Sequence, residues 1–312
     1  MDVTCVWLPY PPADGALPET VTADIWDGSD PPPGSADEVE MVVVPPGMDT
    51  SALAAALHGL KSLKVVQTTT AGAETVIPAV PPGVTVCNAR GAHTPATAEW
   101  TVGAIVASLR QFPRFTLAQR DGHWDHTRSD AVGGKHVLIV GYGSIGEAVE
   151  RRLAGWEVTI DRVARRPRPA TAEGAPLVHG LDDLPALLPA ADIVVILVPV
   201  TDATRNMVGA RFLATMKDGA LLINAARGAI VDTDALLAEL TSGRLRAALD
   251  VTDPEPLPPA HPLWSAPGLL LTPHVGGYVR DWGSRGFAVA LSQVARYAAG
   301  QPLLNVIGER GY

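Results

Sequence analysis

Apolar residues in this chain gather in short, nearly unbroken runs, and between the runs they recur every three or four positions. Runs of the first kind suit strands buried on both faces, and the second pattern suits amphipathic helices. Their alternation predicts an α/β architecture built on parallel sheets. In the N-terminal part Val3 to Leu8, Met41 to Val44, Leu63 to Thr68 and Thr85 to Asn88 read as strands, and Ser51 to Leu60 reads as a helix. Proline clusters (Pro11-Pro12, Pro31-Pro32-Pro33, Pro45-Pro46, Pro81-Pro82) punctuate these elements as loops. Thr94-Pro95 then opens a long helix to about Arg110, with Thr94 as N-cap and proline at the first helical position, where its missing N–H is no loss. Beyond Lys135, runs at 137–140, 158–160, 192–198, 220–224, 245–251 and 269–272 alternate with helical patterns. Six such strands complete a doubly wound sheet. Trp282 to Gly300 reads as one amphipathic helix packing back on the first domain.

Composition narrows the class. A chain of 312 residues has room for two domains, each with its own core, and 47% hydrophobic residues is an ordinary share. No apolar stretch reaches the roughly 18 residues of a membrane span. The start, MDVTCVWLPY, lacks the features of a secretory signal, so the expected location is cytoplasmic, without a membrane partner. Cys5 and Cys87 lie in apolar runs and read as buried thiols. The net charge of −9 argues against nucleic acid, while local arginines can still dominate inside a cleft because salt screens over about 8 Å. His123 and His126 are closely spaced, but no further ligand accompanies them, so no metal site is expected.

Two groups of residues carry chemistry. In VLIVGYGSIGEAVERRL a strand runs directly into Gly141, Tyr142, Gly143, Ser144, Ile145 and Gly146, and a helix and second strand follow. This βαβ context gives the glycines a mechanism: Gly141 for a tight turn, Gly143 for close backbone approach to a pyrophosphate, and Gly146 for helix packing, with phosphates over the helix N-terminus. The second group is Arg227, Glu255 and His274, each just past a hydrophobic run in LLINAARGAIVD, LRAALDVTDPEPL and GLLLTPHVGGY. Ligands of open α/β sheets bind at the carboxyl ends of strands, so the three can meet in one cleft. A fixed cation, a carboxylate and an imidazole suit a substrate that carries a carboxylate beside a carbonyl. Taken singly, each also has an ordinary structural reading: a capping arginine, a solvated loop carboxylate and a satisfied core histidine.

With these motifs in order (GYGSIG, ILVPVTDATRNMVG, LINAARGAIVD, ALDVTDPEPL, TPHVGG), the chain resembles the D-isomer-specific 2-hydroxyacid dehydrogenases, most closely from about Asn88 onward. The resemblance implies an α/β fold of two doubly wound parallel-sheet domains. Residues 1–94 and 278–312 would form a flavodoxin-like substrate domain, and 95–277 a Rossmann cofactor domain. It implies hydride transfer between a nicotinamide cofactor and a small 2-oxo acid, of the glyoxylate, hydroxypyruvate or phenylpyruvate sort, giving the D-2-hydroxy acid. Arg227, Glu255 and His274 would be catalytic: Arg227 holds the substrate carboxylate, His274 donates a proton, and Glu255 pairs with His274 and favours its protonated form. The substrate would also meet the backbone at Ala71 and Gly72, and His93. Asp250, Val198, Pro199, Thr204, Ala225, Ala226 and Gly277 match cofactor-lining positions. A homodimer is the expected assembly; the Thr94 helix reads either as an element of it or as an ordinary linking helix at the domain junction. A dinucleotide-sensing corepressor-like protein with little or no turnover is the alternative function.

The second strand bears on the cofactor. An acid at its end favours NAD and arginines favour NADP, and Asp161-Arg162 offers both. Alternation puts Val158, Ile160 and Arg162 on one face, which sets Arg162 at the ribose position with Arg165 and Arg166 behind it. The reading favours NADP over NAD, with Arg162 and Arg165 as contacts.

Overall fold

A computed structural model describes residues 3–29, 32–34, 36–171 and 174–308, so Pro31 of the proline loops falls outside the described residues. The chain separates into two compact units, Met1–His93 with Arg280–Tyr312, and Thr94–Val279. The sequence pattern had set these divisions at 94/95 and 277/278.

The first unit opens with β1 (Thr4–Leu8), β2 (Val21–Ile25), β3 (Val39–Val43), α1 (Thr50–His58), β4 (Val65–Gln67) and β5 (Thr85–Cys87). Asp49 starts α1 by accepting from the N–H groups of Ser51 and Ala52 at 2.8 and 3.3 Å, satisfying donors that a helix start leaves open. The second unit follows with α2 (Thr94–Leu109), α3 (Phe112–Arg120), β6 (His136–Val140), α4 (Ser144–Leu153), β7 (Thr159–Val163), α5 (Leu184–Leu187) and β8 (Ile193–Ile196). It continues through α6 (Ala210–Thr215), β9 (Leu221–Asn224), α7 (Thr233–Thr241), β10 (Arg246–Leu249) and β11 (Leu269–Leu271). The chain then returns to the first unit with α8 (Trp282–Ala298) and β12 (Val306–Ile307).

The sheet of the first unit has the order β12-β5-β4-β3-β1-β2, parallel except for β12, which runs antiparallel to β5 through Val306↔Cys87. Its parallel part is the flavodoxin-like 2-1-3-4-5 arrangement. Two of its strands were not visible in the sequence. β2 is a half-exposed edge strand interrupted by Asp24, and β12 is too short to show a period. Cys5, Trp7, Val42 and Val66 pack on one face with α1, while Val6, Leu8, Met41, Val43 and Val65 pack on the other with Ala290 and Val294 of α8. Covering both faces is why the strands read as continuous apolar runs rather than alternating ones.

The second sheet is parallel throughout, in the order β11-β10-β9-β8-β6-β7. An isolated parallel bridge, Val163↔His179, prolongs it beyond β7 where a further strand of a Rossmann sheet would lie. Its strands alternate faces in the same way: Leu138, Val140, Val194, Ile196 and Leu222 face one core, and Val137, Ile139, Ile193, Val195 and Leu221 face the other. Strand order reverses between β6 and β8, which creates the switch point where loops diverge and leave room for a ligand. The long helix α2 includes Thr94 itself, so it begins at the predicted cap, one residue before the predicted first helical position. Among the described residues no helix is long and apolar enough to cross a membrane.

The C-terminal segment is tied to the first unit by Gln293, a side chain 1% exposed whose Nε2 donates to the Leu304 carbonyl and whose Oε1 accepts the Leu304 N–H at 3.0 Å. Gln293→Ala removes a buried side chain and strips both partners from the Leu304 backbone, an expected loss of about 1–3 kcal/mol. A lowered urea midpoint with an unchanged slope would be the measurement.

Candidate active site

β6 delivers the chain to Gly141, whose φ of 107° only glycine adopts without strain. A Cβ there would lie 2.5 Å from the Leu197 carbonyl carbon and 2.7 Å from the Val198 nitrogen, so the turn and the segment after β8 touch backbone to backbone. Gly146 packs α4 onto its strand, its would-be Cβ 3.1 Å from Gly141 O and from Ile139 Cγ2. At Gly143, which caps α4, nothing lies within 4 Å of a would-be Cβ. Gly143 thus leaves the approach to the N-terminus of α4 free of a side chain, as a phosphate meeting the first N–H groups of the helix requires. Ser144 and Ile145 form the first turn of that helix, and Ser144 Oγ accepts from Thr94 Oγ1 at 3.2 Å.

The second strand differs from the sequence expectation. β7 continues to Val163 because it pairs with β6 along its whole length, up to Ile139↔Arg162 and Val140↔Val163. Arg162 thus lies inside the strand and not at its end, and its guanidinium is turned onto Glu150 of α4: Nε donates to Oε2 at 2.7 Å, Nη2 donates to Oε1, and Nη1 donates to the Ile160 carbonyl at 3.0 Å. Tyr142 joins the cluster, its hydroxyl donating to Glu150 Oε2 at 2.5 Å. Arg162 holds the Glu150 carboxyl below the usual range, and Glu150 in turn raises the already high pKa of Arg162. Burial, then the Glu150 contact, pushes the Tyr142 hydroxyl up to about 12. Asp161 projects the other way and receives His136 Nε2 at 2.8 Å. The first residue past the strand is Ala164, and Arg165, Arg166 and Arg168 behind it are exposed.

The loop after β8 carries Val198, Pro199 and Thr204. Thr204 is 6% exposed and spends its hydroxyl within the loop, donating to the Pro199 carbonyl at 2.6 Å and accepting the Thr201 N–H at 2.8 Å. After β9, fully buried Asn224 closes the next loop: its Oδ1 accepts the Ala226 N–H at 3.1 Å and its Nδ2 donates to the Arg227 carbonyl at 2.9 Å. That turn, through Ala225 and Ala226, presents a half-buried Arg227 whose Nη1 donates to the Ala226 carbonyl at 2.7 Å.

Gly228 locks this loop to the one after β10, since a Cβ there would stand 1.9 Å from the Thr252 carbonyl oxygen. Asp250, 4% exposed, organises the last loop. Its carboxylate accepts Thr272 Oγ1 at 2.6 Å, the Val275 N–H at 2.9 Å and the Gly276 N–H at 2.7 Å, and its carbonyl accepts the His274 N–H at 2.7 Å. His274 is held at φ 55°, a conformation that L-residues adopt only where surroundings enforce it. Its Nδ1 meets Glu255 Oε1 at 2.6 Å, with the two side chains 45% and 41% exposed. Glu255 and His274 are therefore brought together, and Arg227 stands on the adjoining, interlocked loop. Asp250, expected at a cofactor-lining position, braces the His274 loop with its carboxylate, and Gly277 follows directly. Among the described residues no group of three or more His, Cys, Asp or Glu could hold a metal ion.

In the first unit, Ala71 and Gly72 follow β4 in a segment set by buried polar groups. Thr68 Oγ1 donates to the Thr70 carbonyl at 2.6 Å, Asn88 Nδ2 to the Ala71 carbonyl at 2.7 Å, and Thr70 Oγ1 to the Gly72 carbonyl at 2.7 Å. Fixing each carbonyl fixes the N–H on the opposite side of the same planar peptide. Gly286 of α8 backs the segment, its would-be Cβ only 2.1 Å from the Thr69 carbonyl oxygen. His93 lies against Thr69 O at 3.4 Å and stacks on Trp282 with ring centroids 5.6 Å apart. Burial holds its pKa below the ordinary histidine value. Sequence reasoning missed Asn224, Gly228, Thr68, Asn88 and Gly286. A polar residue at the end of an apolar run, as at Asn224 and Asn88, was the available signal.

The profile of the family described as "D-isomer specific 2-hydroxyacid dehydrogenase, NAD binding domain" matches residues 102–276. A glyoxylate reductase of Thermofilum pendens is 38% identical over 69% of this chain and 66% of its own length. A hydroxypyruvate reductase of Thermotoga maritima is 32% identical over 77% of this chain and 78% of its own. The crystal structure of a D-isomer specific 2-hydroxyacid dehydrogenase from Xanthobacter autotrophicus Py2, in complex with NADPH and MES, covers 100% of both chains with a TM-score of 0.83 and 29% identity. The chain spans 62%, 43% and 66% of the length of three of the curated relatives that it matches. The glycine turn at the switch point, the paired imidazole and carboxylate, and a family profile over more than half the sequence lead to one assignment: this chain belongs to the D-isomer specific 2-hydroxyacid dehydrogenase family.

Proposed function

We propose that the protein is an oxidoreductase that reduces a small 2-oxo acid to the D-2-hydroxy acid, with NADP as the favoured cofactor. The observation that carries this reading is the His274 Nδ1 to Glu255 Oε1 contact of 2.6 Å. With Nδ1 committed to a carboxylate, Nε2 is the ring nitrogen left to give a proton to a carbonyl oxygen or to take one from a hydroxyl. Glu255 orients the ring through this contact. Arg227 supplies a planar cation suited to hold the substrate carboxylate and to polarise the neighbouring carbonyl. In the first unit, the ordered peptides at Ala71 and Gly72, and His93, are the proposed substrate-facing groups.

When bound, the dinucleotide supplies or accepts the hydride. The open N-terminus of α4 at Gly143 and the close turn at Gly141 fit its pyrophosphate, and the loops at Val198, Pro199, Ala225, Ala226 and Gly277 would line the rest of it. For NADP, the support is the absence of a carboxylate at Ala164, directly after the second strand, together with exposed Arg165, Arg166 and Arg168. The NADPH-bound relative from Xanthobacter is consistent with it. A homodimer is supported by large apolar side chains on and after α3: Phe112, Leu117 and Trp124 are 50%, 54% and 91% exposed.

Purified protein should oxidise NADPH faster than NADH in the presence of one or more members of a panel of about a dozen 2-oxo acids. Cofactor binding without turnover on any of them would sink the reductase reading. His274→Gln is expected to lower kcat by about 10²–10⁴-fold with the cofactor dissociation constant unchanged, a size typical of a lost acid–base group. Arg227→Ala should raise KM for the 2-oxo acid by about ten- to hundredfold, as expected when a charge-assisted contact is removed, and lower kcat as well because the carbonyl is no longer polarised. Light scattering of a Leu117→Glu, Trp124→Ser variant should show a monomer where the parent is a dimer; equal masses would place the interface elsewhere.

A further inference from the structure

Arg162 is the basic residue that sequence alternation puts nearest the adenosine ribose, yet its guanidinium is already occupied. Nε and Nη2 form a fork on the Glu150 carboxylate, Nη1 is on the Ile160 carbonyl, and the two side chains are only 17% and 23% exposed. To grip a phosphate it would have to release Glu150, leaving a half-buried carboxylate without a counter-charge, which is costly. Arg168 is arranged in the opposite way. Its backbone is held on both sides, N–H to the Val178 carbonyl and carbonyl to the Val178 N–H, each at 2.9 Å. Its guanidinium lies over the Tyr142 ring, 5.7 Å from the centroid, with Nη2 donating to the Tyr142 carbonyl at 3.2 Å. The residue is exposed, and most of its donors remain for a ligand.

Tyr142 links the two arginines. Both guanidiniums lie over its ring, Arg162 being 5.8 Å from the same centroid, and its hydroxyl is anchored on Glu150 at 2.5 Å. Glu150 thus stands one hydrogen bond away from the glycine turn. Without Arg162 its charge would act within a screening length of any anion bound there.

We propose that Arg162 governs cofactor preference as the counter-ion of Glu150 and not as a phosphate ligand, while Arg168, laid across Tyr142, supplies the contact to the 2′-phosphate. This inference rests on the NADP reading above. Arg162 is then a positioning residue: it cancels a carboxylate that would otherwise repel the 2′-phosphate and favour a free 2′-hydroxyl.

Calorimetric binding of adenosine 2′,5′-bisphosphate and 5′-AMP, which requires no turnover, separates the possibilities. Arg162→Ala is expected to weaken the bisphosphate about tenfold or more relative to 5′-AMP, and the double variant Arg162→Ala, Glu150→Gln to return to within about threefold of the parent. Arg168→Ala should weaken the bisphosphate by about ten- to hundredfold and leave 5′-AMP unchanged, as for loss of a charge-assisted hydrogen bond. Arg162→Met, which keeps the aliphatic stem over Tyr142, replaces Arg162→Ala if the latter does not fold. A double variant as weak as the single one makes Arg162 a ligand and overturns the proposal, as does an Arg168→Ala variant that weakens both nucleotides equally. A parent protein that binds the two nucleotides equally well would fail the NADP reading itself, a result distinct from either of these.

Discussion

A buried carboxylate at the end of a strand organises the candidate site. Asp250 accepts three donors from the segment 272–276 with its side chain and a fourth, the His274 N–H, with its carbonyl. Because the Asp250 carboxylate is only 4% exposed, stripping it of these donors would cost about 1–3 kcal/mol each, which holds the segment in this conformation. That conformation puts His274 in the left-handed region, a strain of order 1–3 kcal/mol offset by the surrounding bonds. The consequence is chemical: the imidazole is directed at Glu255 and one ring nitrogen is left for a reactant.

The other loops of the second unit are placed by the absence of side chains. Gly141 sets its turn against Leu197 and Val198, and Gly228 sets its loop against Thr252, in both cases at distances that no Cβ tolerates. Because the loops after β6 and β8 touch, and those after β9 and β10 touch, small shifts in one cannot occur without the other. Close backbone packing thus supplies the rigidity that catalytic geometry demands, with little contribution from the surface ion pairs found elsewhere on the chain.

Pairing rather than exposure governs the charged groups of the second strand. Asp161 and Arg162 are neighbours in sequence, but strand alternation sends one to His136 and the other to Glu150 and Tyr142. Neither side chain is aimed past the strand end. The basic residues that do extend beyond it, Arg165, Arg166 and Arg168, lie in an exposed segment where only Arg168 is fastened to the glycine turn.

Much of this was legible from residue order. Both doubly wound sheets, the glycine turn with its helix, and the resemblance to the dehydrogenase family follow from patterns that need only neighbours in the chain: apolar runs for strands covered on both faces, glycines where a turn and a phosphate require them. Elements with little local signal were not legible, namely the half-exposed edge strand β2, the two-residue β12 and the helix α3, whose own face is mostly in solvent. The true end of β7 was also hidden, since its length is set by pairing with β6 and not by its own composition. Residue order by itself therefore determined which chemical groups are carried and on which strand ends. Only the tertiary structure decided which of those groups are engaged by others, because Glu150, Glu255 and the Gly276 N–H, which engage Arg162, His274 and Asp250, lie 12, 19 and 26 positions away in the chain and are chosen by sheet order, helix packing and the close contact of loops.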